Sequence, residues 1–391
     1  MIDVRIDNID ESNDNFFKSA EIRAGSGNYF KLMPLVNSRL TLHDRLIPND
    51  KKVTIAECYM EITKEKLNEI DSDRDKQRKF VMSKFGNIDY DHILIIPKIL
   101  LLEGETINRN EMRYLINLMS FPGNMIYVSP LFYHYKYSEK GRISKGNQVD
   151  VDAFFSMTKI FLDELTNDSV NQVGLSLQFN VLGSKIPTLL DIYKDFSTPF
   201  ALLDGAGKSN VDNYLQIKYL TSKAENSYGL PQKQNENYVL YSFDSKQTRG
   251  RKEVTPALNI LQLNEGFSSF GPRHTIKFKR READPPEKPK PQYVPKIFYR
   301  DHISYSKHNV ENPKNAFLEW LERQGVGIDK EYEKQVRTYV ADYEYFNIFE
   351  VTEKLNEGVS QGGVDSVISG VEEVKSEVKK IRKNNRLIKS K

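Results

Sequence analysis

Cysteine is almost absent from this chain, because Cys58 is the only one among 391 residues. A single thiol can form neither an intrachain disulfide nor a zinc site made of several thiolates. Such sparing use of cysteine is typical of reducing compartments, so we expect a cytoplasmic protein.

Long apolar runs are missing as well. No stretch reaches the roughly 18 consecutive apolar residues that a membrane-spanning helix needs, so we expect no membrane partner. The first residues, MIDVRIDNIDESNDNFF, are polar and acidic, unlike a secretory signal peptide. The net charge of +3 is small, so any affinity for nucleic acid must come from local basic clusters.

Motifs for metals, cofactors and common hydrolases do not occur either. The six histidines contain no HxH or HExxH pairing, and there is no G-x-S-x-G elbow. The stretch DGAGKS, residues 204–209, is similar to a phosphate-binding loop, but Leu202 occupies the position of that loop's first glycine. We therefore predict neither a metal nor a cofactor.

What is present is a regular succession of strands and helices. Apolar runs predict strands at 30–36, 53–60, 92–97, 124–132, 172–179, 199–204, 237–243 and 258–263. Helical spacing of apolar residues predicts helices at 61–85, 107–119, 151–166, 186–196 and 210–224. The alternation predicts an α/β fold in the form of an irregular (β/α)8 barrel, with an open doubly wound sheet as the alternative.

The pattern changes after residue 272, which gives four predicted segments. Residues 1–272 form the barrel-like domain, and 273–300 are a basic, proline-rich connector of the kind that stays extended. Residues 301–357 form a helical extension, with helices at 312–324 and 329–357. Residues 358–391 hold a glycine linker, a short heptad helix and a basic tail.

The heptad segment has apolar residues at alternating spacings of three and four, namely Val364, Val367, Val371, Val374, Val378 and Ile381. Such spacing forms the seam of a coiled coil. Two roles stay open for residues 364–381: the helix docks on its own domain, or it joins copies of the chain into a homo-oligomer. The last thirteen residues carry seven basic groups, which suits a solvated tail or weak contact with nucleic acid.

Two acids stand at predicted strand ends, where barrel enzymes place their active sites. Asp204 ends the sixth predicted strand, and Asp244 follows the seventh within YSFDSKQTRGRK. The cations at Lys246, Arg249 and Arg251 would attract a phosphate-bearing substrate. We identify the two acids as catalytic candidates and the three cations as substrate-binding candidates, and a charged loop without catalysis is the alternative.

A second cluster combines aromatic and basic side chains after the fourth predicted strand. Tyr133, Tyr135 and Lys136 lie in YHYKYSEKGRISKGNQ, where rings could stack on bases and amines could neutralise phosphates. These three residues are further substrate-binding candidates. A solvated loop whose tyrosines pack on a neighbouring element is the alternative.

The residues around Asp244 resemble a known family. FDSKQTRGRKE is similar to the FDC-x-x-PTR-x-x-R-x-G stretch of tRNA-guanine transglycosylases, with Thr248 and Arg249 near the family's Thr-Arg. GNYFKLMPLVNS is similar to the family's opening TP-x-x-MPV segment, matched at Met33 and Pro34. The resemblance implies a (β/α)8 barrel in which Asp244 is the nucleophile that displaces a base from its ribose.

Further along, KHNVENPKNAFLEWLE resembles the start of the family's HNL helix at His308 and Asn309. Elsewhere the chain departs from the family pattern. Ser245 and Gln247 replace the family's cysteine and proline, Cys58 alone cannot supply the family's zinc ligands, and the SGGFQ stretch does not occur. The resemblance implies a divergent member acting on DNA, tRNA or a free nucleoside derivative, with a member that has lost catalysis as the alternative.

Three functional hypotheses follow. The first is a glycosyl transferase acting on a nucleic acid or nucleotide-like substrate, with base exchange through a covalent aspartyl-sugar intermediate; Asp204 would then protonate the departing base. The second is a (β/α)8 enzyme that uses Asp204 and Asp244 on a small phosphorylated or sugar substrate. The third is a non-catalytic scaffold that binds through the tyrosine-rich loop and assembles through the heptads.

Overall fold

The computed structural model describes residues 1–10, 14, 17–32, 46, 55–70, 73–85, 92–120, 123–137, 143–208, 216–217, 220, 238–247, 252–271, 294–328, 331–361, 365–368 and 371–389. In these ranges the chain has a mixed α/β fold with several sheets, two of which contain parallel strands. None of the helices in these ranges is both long and apolar enough to cross a bilayer.

The first sheet is antiparallel and contains β1 (Ile2–Asp10), β2 (Phe17–Ala24) and β3 (Phe30–Lys31). The predicted strand 30–36 begins here, but it pairs with a hairpin rather than with parallel strands. From position 33 onward, this prediction falls outside the described residues.

The second sheet has the order β4–β5–β6–β7, with β4 (Ile55–Thr63), β5 (His92–Leu101), β6 (Leu131–Tyr137) and β7 (Ile143–Gln148). The first three strands are parallel, and β7 runs antiparallel to β6. Helices α1 (Lys64–Ile70) and α2 (Arg74–Phe85) connect β4 to β5, and α3 (Arg109–Met119) follows β5. Helices occupy these positions because parallel neighbours need a crossover connection.

The third sheet consists of parallel strands in the order β12–β10–β9–β8. Its strands and the elements around them are α4 (Val151–Asn167), β8 (Gln172–Leu177), α5 (Ile186–Ile192), β9 (Ser197–Asp204), β10 (Val239–Phe243), β11 (Val254–Pro256), α6 (Leu258–Leu261) and β12 (Ser269–Phe270). The predicted helix 210–224 lies almost wholly outside the described residues.

Residues 124–128 connect the second and third sheets. Asn124 pairs with Ile93 of β5, and Val128 pairs with Gly174 of β8, both in parallel orientation. The main-chain N–H of Ser129 also donates to the Gly174 carbonyl at 2.9 Å. The parallel strands of both sheets therefore form one series, with all their carboxyl ends on the same side.

The antiparallel sheet lies at the opposite, amino-terminal side of this series. The main-chain N–H of Ile2 donates to Oε1 of Gln172, the first residue of β8, at 2.6 Å, and Gln172 Nε2 donates to the Ile2 carbonyl at 2.9 Å. Val4 and Ile22 bury their side chains in the same apolar cluster as Leu94 of β5 and other strand residues. This cluster leaves the carboxyl ends as the polar side of the strand series.

The C-terminal part adds a small sheet and several helices: β13 (Lys296–Tyr299), β14 (Ser304–Lys307), α7 (Glu311–Arg323), α8 (Tyr332–Gln361), α9 (Asp365–Ile368) and α10 (Lys375–Lys389). The sheet has the order β11–β14–β13, so its strands come from both sides of the predicted boundary at 272. Ile297 and Phe298 are fully buried, and the last residues of the predicted connector are therefore a packed strand.

The predicted strand at 258–263 is wrong. Residues 258–261 form α6, and a 3-10 turn over residues Gln262–Asn264 continues it. A short apolar run without periodicity is compatible with a buried strand and with a buried helical turn. Here the side chains of all six residues are buried, so the sequence shows no alternation of apolar and polar positions that would distinguish a strand from a helix.

The predicted continuous heptad helix at 364–381 is also wrong. Helix α9 ends at Ile368, and a 3-10 turn over Glu372–Val374 precedes α10. Val374, Val378 and Ile381 pack into the same apolar cluster as the helices and strands of the main body. The described part of the apolar seam thus packs on the chain itself, which fits the docking alternative, and the homo-oligomer stays a prediction.

Candidate active site

Two carboxyl groups meet at the carboxyl ends of neighbouring parallel strands. Asp204 is the last residue of β9, and Asp244 directly follows Phe243, the last residue of β10. Phe243 is the register partner of Asp204, so the two acids are offset by one residue across the strand pair. Both residues are enclosed, with 0% of Asp204 and 1% of Asp244 exposed.

The loops that follow these strands are bonded to each other. The main-chain N–H groups of Gly205 and Gly207 donate to the carbonyls of Phe243 at 2.8 Å and of Asp244 at 2.7 Å. A Cβ at position 205 would lie 2.8 Å from the Ser245 Cα, so only glycine fits this close approach. Because both N–H groups are used between the loops, DGAGKS is not an open phosphate cradle.

The backbone turns sharply at Asp244 and, in the other loop, two residues after Asp204. Asp244 has a φ of +44° and Ala206 a φ of +49°, both in the left-handed region that side chains other than glycine adopt only occasionally. The Ala206 N–H donates to Asp204 Oδ1 at 2.8 Å, which fixes one oxygen of that carboxyl group. Strained backbone of this kind often concentrates at functional sites.

The other oxygen of Asp204 is held by residues from the second sheet. Its Oδ2 accepts hydrogen bonds from the Tyr133 hydroxyl of β6 and from Gln148 Nε2 of β7, the latter at 2.7 Å. Gln148 Nε2 also lies 2.9 Å from the Tyr133 hydroxyl oxygen, so the three groups form a closed triangle. The carboxyl group is thus oriented by two strands of one sheet and its own loop.

Burial raises the pKa of the Asp204 carboxyl, and the charge of Asp244 raises it further. The bond from Tyr133 and the positive charge of Lys98 act in the opposite direction, but the net shift is upward. Burial, followed by the charge of Asp204, also holds the pKa of Tyr133 well above its usual value. Asp204 consequently keeps its proton to higher pH than an ordinary aspartate, as a general acid should.

A buried lysine completes the polar layer. Only 1% of Lys98 in β5 is exposed, and its Nζ lies 3.9 Å from the ring centroid of Tyr133. The same Nζ is 3.8 Å from Glu61 Oε2, which accepts a 2.5 Å bond from the Tyr59 hydroxyl. This amine places a fixed positive charge among the carboxyl groups, where it can compensate negative charge on a substrate.

The sequence-predicted site residues have different surroundings. Asp204, Asp244 and Tyr133 come together, whereas Tyr135 is 1% exposed and packs in the interior apolar cluster. Lys136 is exposed and pairs with Glu103, their Nζ and Oε2 atoms 3.8 Å apart. The alternative of tyrosines packed on a neighbouring element therefore fits both tyrosines, and neither is an open stacking platform for bases.

The basic residues after Asp244 are described only in part. Lys246 is half-buried, and its N–H donates to the Lys208 carbonyl at 2.8 Å. Arg249 and Arg251 lie outside the described residues. Their substrate-binding roles stay predictions.

Four site residues were not found by sequence reasoning, namely Tyr59, Glu61, Lys98 and Gln148. Lys98 had a detectable signal, because a lysine inside the apolar run HILIIPKILL must be buried or must break the strand. Glu61 had no such signal, because the sequence predicts the charged start of a helix at this position. Gln148 becomes part of the site only through the β6–β7 pairing.

Comparisons with known proteins identify no function for this site, so its chemistry is inferred from its geometry alone. No family model matches the chain, and no curated protein matches its sequence significantly. Among the described residues, no group of three or more His, Cys, Asp or Glu side chains could hold a metal ion. The arrangement offers a carboxyl group with a raised pKa beside a second carboxyl group, a combination suited to acid-assisted displacement.

Proposed function

We propose that this chain is a glycosyl transferase, in which Asp244 attacks the anomeric carbon of a sugar and Asp204 protonates the leaving group. The observation that carries the proposal is the pair of enclosed carboxyl groups at adjacent strand ends, one of them with a raised pKa. Two carboxyl groups in different electrostatic surroundings can divide the roles of nucleophile and acid between them.

We further propose that the strand series closes into an irregular (β/α)8-like barrel. The connection through residues 124–128 and the shared apolar interior support it. So does a contact between the two ends of the series, because the Tyr241 hydroxyl of β10 donates to the Glu57 carboxylate of β4. Gly271, just after β12, also lies against Glu57. The acids would then stand at the barrel mouth, the usual position of active sites in this fold.

The proposed reaction has two displacement steps. In the first, a carboxylate oxygen of Asp244 forms a bond to the anomeric carbon while the bond to the departing base breaks, and Asp204 gives that base its proton. In the second, an incoming base or water attacks the same carbon, releases Asp244, and returns a proton to Asp204. Covalent catalysis replaces one difficult displacement by two easier ones.

The enclosure of both acids bears on the substrate. Because Asp204 and Asp244 are almost unexposed, a substrate has to enter the enclosed layer of strand ends to meet them, which favours a single sugar unit with its leaving group over an extended polymer. A nucleoside or nucleotide fits this requirement directly, and a nucleic acid would have to present a flipped-out nucleotide. The resemblance around Asp244 supports base exchange as the specific reaction, and Lys246, two residues after Asp244, is the cation we expect to meet a phosphate group.

A small non-nucleotide sugar is the second candidate, and the same enclosure favours it. A scaffold has no such support, because Tyr133, Tyr135 and the apolar seam of the C-terminal segment are all packed inside the chain.

The test is retention of labelled sugar on denatured protein. The full chain is incubated with ribose-labelled nucleosides, nucleotides, single-stranded DNA and tRNA, and with labelled simple glycosides, at low and high salt. We expect retained label with at least one nucleoside-containing substrate, and its loss in Asp244→Ala. Glu57→Gln is the matched control, because Glu57 is an equally buried, tyrosine-bonded carboxylate in β4 of the same strand series.

Each outcome decides between the candidates. Label from glycosides but not from nucleosides would leave glycosyl transfer standing and reject base exchange. No retained label from any substrate, together with no turnover, would reject the glycosyl transferase. Equal loss in Glu57→Gln and Asp244→Ala would show that disturbed folding rather than chemistry caused the effect.

A further inference from the structure

A cavity of about 320 Å³ lies in the C-terminal part, away from the elements that carry Asp204 and Asp244. It is bounded by α7, by α8 and by the turn over Arg300–His302 that follows β13. None of these elements contributes a residue to the candidate active site. The volume falls within the range of small-molecule sites.

Aromatic rings form one side of the cavity. Trp320 and Tyr343 line it, with their ring centroids 5.5 Å apart in an edge-to-face arrangement. Tyr299 lines it as well, and one face of its ring is covered by His302 at a centroid distance of 4.8 Å. His302 does not line the cavity, so the cavity meets the opposite face or the edge of the Tyr299 ring. Trp320 and Tyr343 are each only 2% exposed, so a flat, unsaturated ring would contact chiefly the half-buried rings of Tyr299 and Phe346.

Carboxamides provide the second feature. Asn312, Asn315 and Asn347 line the same cavity, the first two from the exposed side of α7. Asn347 Nδ2 donates to the Tyr343 carbonyl at 2.7 Å, which fixes the orientation of its amide. A carboxamide offers a donor and an acceptor side by side, the pattern that matches the edge of a nucleobase.

Two guanidinium groups provide the third feature. Arg300 and Arg323 line the cavity from the turn and from the end of α7. Arg323 Nε donates to the Glu319 carbonyl at 3.3 Å, and within the described ranges no carboxylate is close enough to form an ion pair with it. Its terminal nitrogens therefore remain suited to a phosphate, which guanidinium binds in bidentate geometry.

Two carboxylates complete the lining. Asp301 pairs with Arg300, their Oδ1 and Nε atoms 3.4 Å apart, and Glu319 precedes Arg323 by one helical turn; carboxylates are common acceptors for ribose hydroxyl groups. The cavity therefore offers a matching group for each part of a nucleotide, namely the flat ring, the edge of the base, the sugar hydroxyls and the phosphate. We propose that this cavity is a binding site for a nucleoside monophosphate, either free or as the 5′-terminal nucleotide of a strand.

This inference goes beyond the proposed glycosyl transfer and does not depend on it. The cavity would hold a nucleotide that is not cleaved, since neither Asp204 nor Asp244 reaches it. A nucleotide bound there would act as an effector, or would anchor the end of a strand whose other residues reach the carboxyl groups.

The chain offers a reporter for the test, because Trp320 is its only tryptophan. Its fluorescence in the full-length protein is titrated with the four ribonucleoside monophosphates, with inorganic phosphate, with ribose 5-phosphate and with a 5′-phosphorylated oligonucleotide. Calorimetry of the same titrations provides a second readout. We expect saturable quenching and heat with at least one monophosphate, and neither with phosphate alone.

Variants locate the binding. Arg323→Gln should weaken monophosphate affinity about tenfold or more, because a charge-assisted bidentate contact is lost. Arg337→Gln is the control, since Arg337 is an exposed arginine of α8 that pairs with Glu333 and does not line the cavity. Asp244→Ala should bind the monophosphate with unchanged affinity, which separates this site from the proposed reaction.

The contradicting results are distinct. The nucleotide site is rejected if neither a monophosphate nor the 5′-phosphorylated oligonucleotide gives saturable quenching or heat at millimolar concentration. Equal responses to inorganic phosphate and to monophosphates would reduce it to a simple anion site and also overturn it. Binding of the oligonucleotide but of no free monophosphate would assign the site to strand ends.

Discussion

Asp204 is governed by two opposing sets of neighbours. Burial and the charge of Asp244 raise its pKa, while the Tyr133 hydroxyl and the Lys98 amine stabilise its charged form. An acid catalyst needs this balance, because it must hold a proton near neutral pH and still release it in the transition state.

Replacing the acid itself should slow the first displacement. Asp204→Asn keeps the size of the side chain but cannot donate a proton to the leaving group, so we expect glycosyl-enzyme formation to slow by about 10²–10⁴-fold. The rate is measured with whichever substrate labels the unaltered protein, with Glu57→Gln as the control. An unchanged rate would remove Asp204 from the proposed mechanism.

The Tyr133→Phe variant tests how the pKa of Asp204 is set. The Tyr133 bond favours the charged form of Asp204, so its loss should raise the Asp204 pKa still further. The basic limb of the pH profile for adduct formation should then move to higher pH. Tyr241→Phe, which removes the corresponding bond to Glu57, should leave the limb in place. A limb that stays fixed or moves to lower pH in Tyr133→Phe would contradict the assignment.

Glu344 of α8 gives a residue-scale prediction about stability. Burial of its carboxyl group raises the pKa from 4.5 to about 8, although the bond from the Phe298 N–H lowers it somewhat. The folded chain then binds a proton that the unfolded chain releases, so the free energy of unfolding should fall as pH rises from about 4.5 to about 8. Glu344→Gln should remove this part of the pH dependence.

Urea unfolding at several pH values across that window measures the effect. Glu322→Gln, which alters an exposed glutamate of α7, serves as the control and should keep the slope of the unaltered protein. A Glu344→Gln variant with the same slope would show that this carboxyl group does not retain its proton.

At the scale of elements, α10 is held by its apolar face. Ile381 is 1% exposed within the main core cluster, whereas Leu387 on the same helix is 39% exposed. We expect Ile381→Ala to lower the free energy of unfolding by about 2–5 kcal/mol, the usual cost of such a cavity. Leu387→Ala should have little effect.

Denaturation at several protein concentrations distinguishes docking from assembly. If the seam is used inside the chain, the unfolding midpoint should not depend on concentration. A midpoint that rises with concentration, and loses that dependence in Ile381→Ala, would instead favour the homo-oligomer.

Helices with local end signals were predictable from the sequence. The expected helix 107–119 is observed as Arg109–Met119, because Asn108 and Glu111 form a reciprocal capping box at its start. The helix expected at 151–166 is observed as Val151–Asn167, and the Asp150 side chain caps it. Both ends were set by residues within one helical turn, so no tertiary information was needed.

Boundaries set by tertiary contacts were not predictable. The charged stretch from residue 61 reads as the start of a long helix, yet β4 continues to Thr63, where it pairs with Leu100 of β5. Dependence on tertiary contacts also explains why half of the candidate site was not predicted from the sequence. Asp204 and Asp244 stand at recognisable strand ends, but Lys98 and Gln148 join them only through the pairing of β5, β6 and β7.

For the whole molecule, Gly271 lies against Glu57 of β4, a contact on which the proposed closure of the strand series depends. A Cβ at this position would overlap the Glu57 carboxylate of β4 and the Tyr241 hydroxyl of β10. Gly271→Ala should therefore lower the free energy of unfolding by about 1–3 kcal/mol, the usual cost of overpacking. Gly327→Ala is the control, because a Cβ there meets nothing within 4 Å. Equal stability of the two variants would contradict a closed contact between the series ends.

The N-terminal sheet and the acids occupy opposite sides of the strand series. Ile2 bonds to the amino-terminal end of β8, whereas Asp204 and Asp244 stand at the carboxyl ends of β9 and β10. The amino-terminal side of the series is therefore covered by apolar side chains, and the carboxyl side carries the polar groups. This division puts the candidate site on the carboxyl side, the side on which parallel α/β folds generally carry their active sites.

The most direct measurement of the central claim is the position of the covalent bond. The protein is treated with a substrate that gives retained label, digested at acidic pH, and the labelled peptide is sequenced by mass spectrometry. The account predicts a single labelled peptide with the sugar on Asp244. A sugar on Asp204 or Lys98, or no labelled peptide under conditions of turnover, would contradict it.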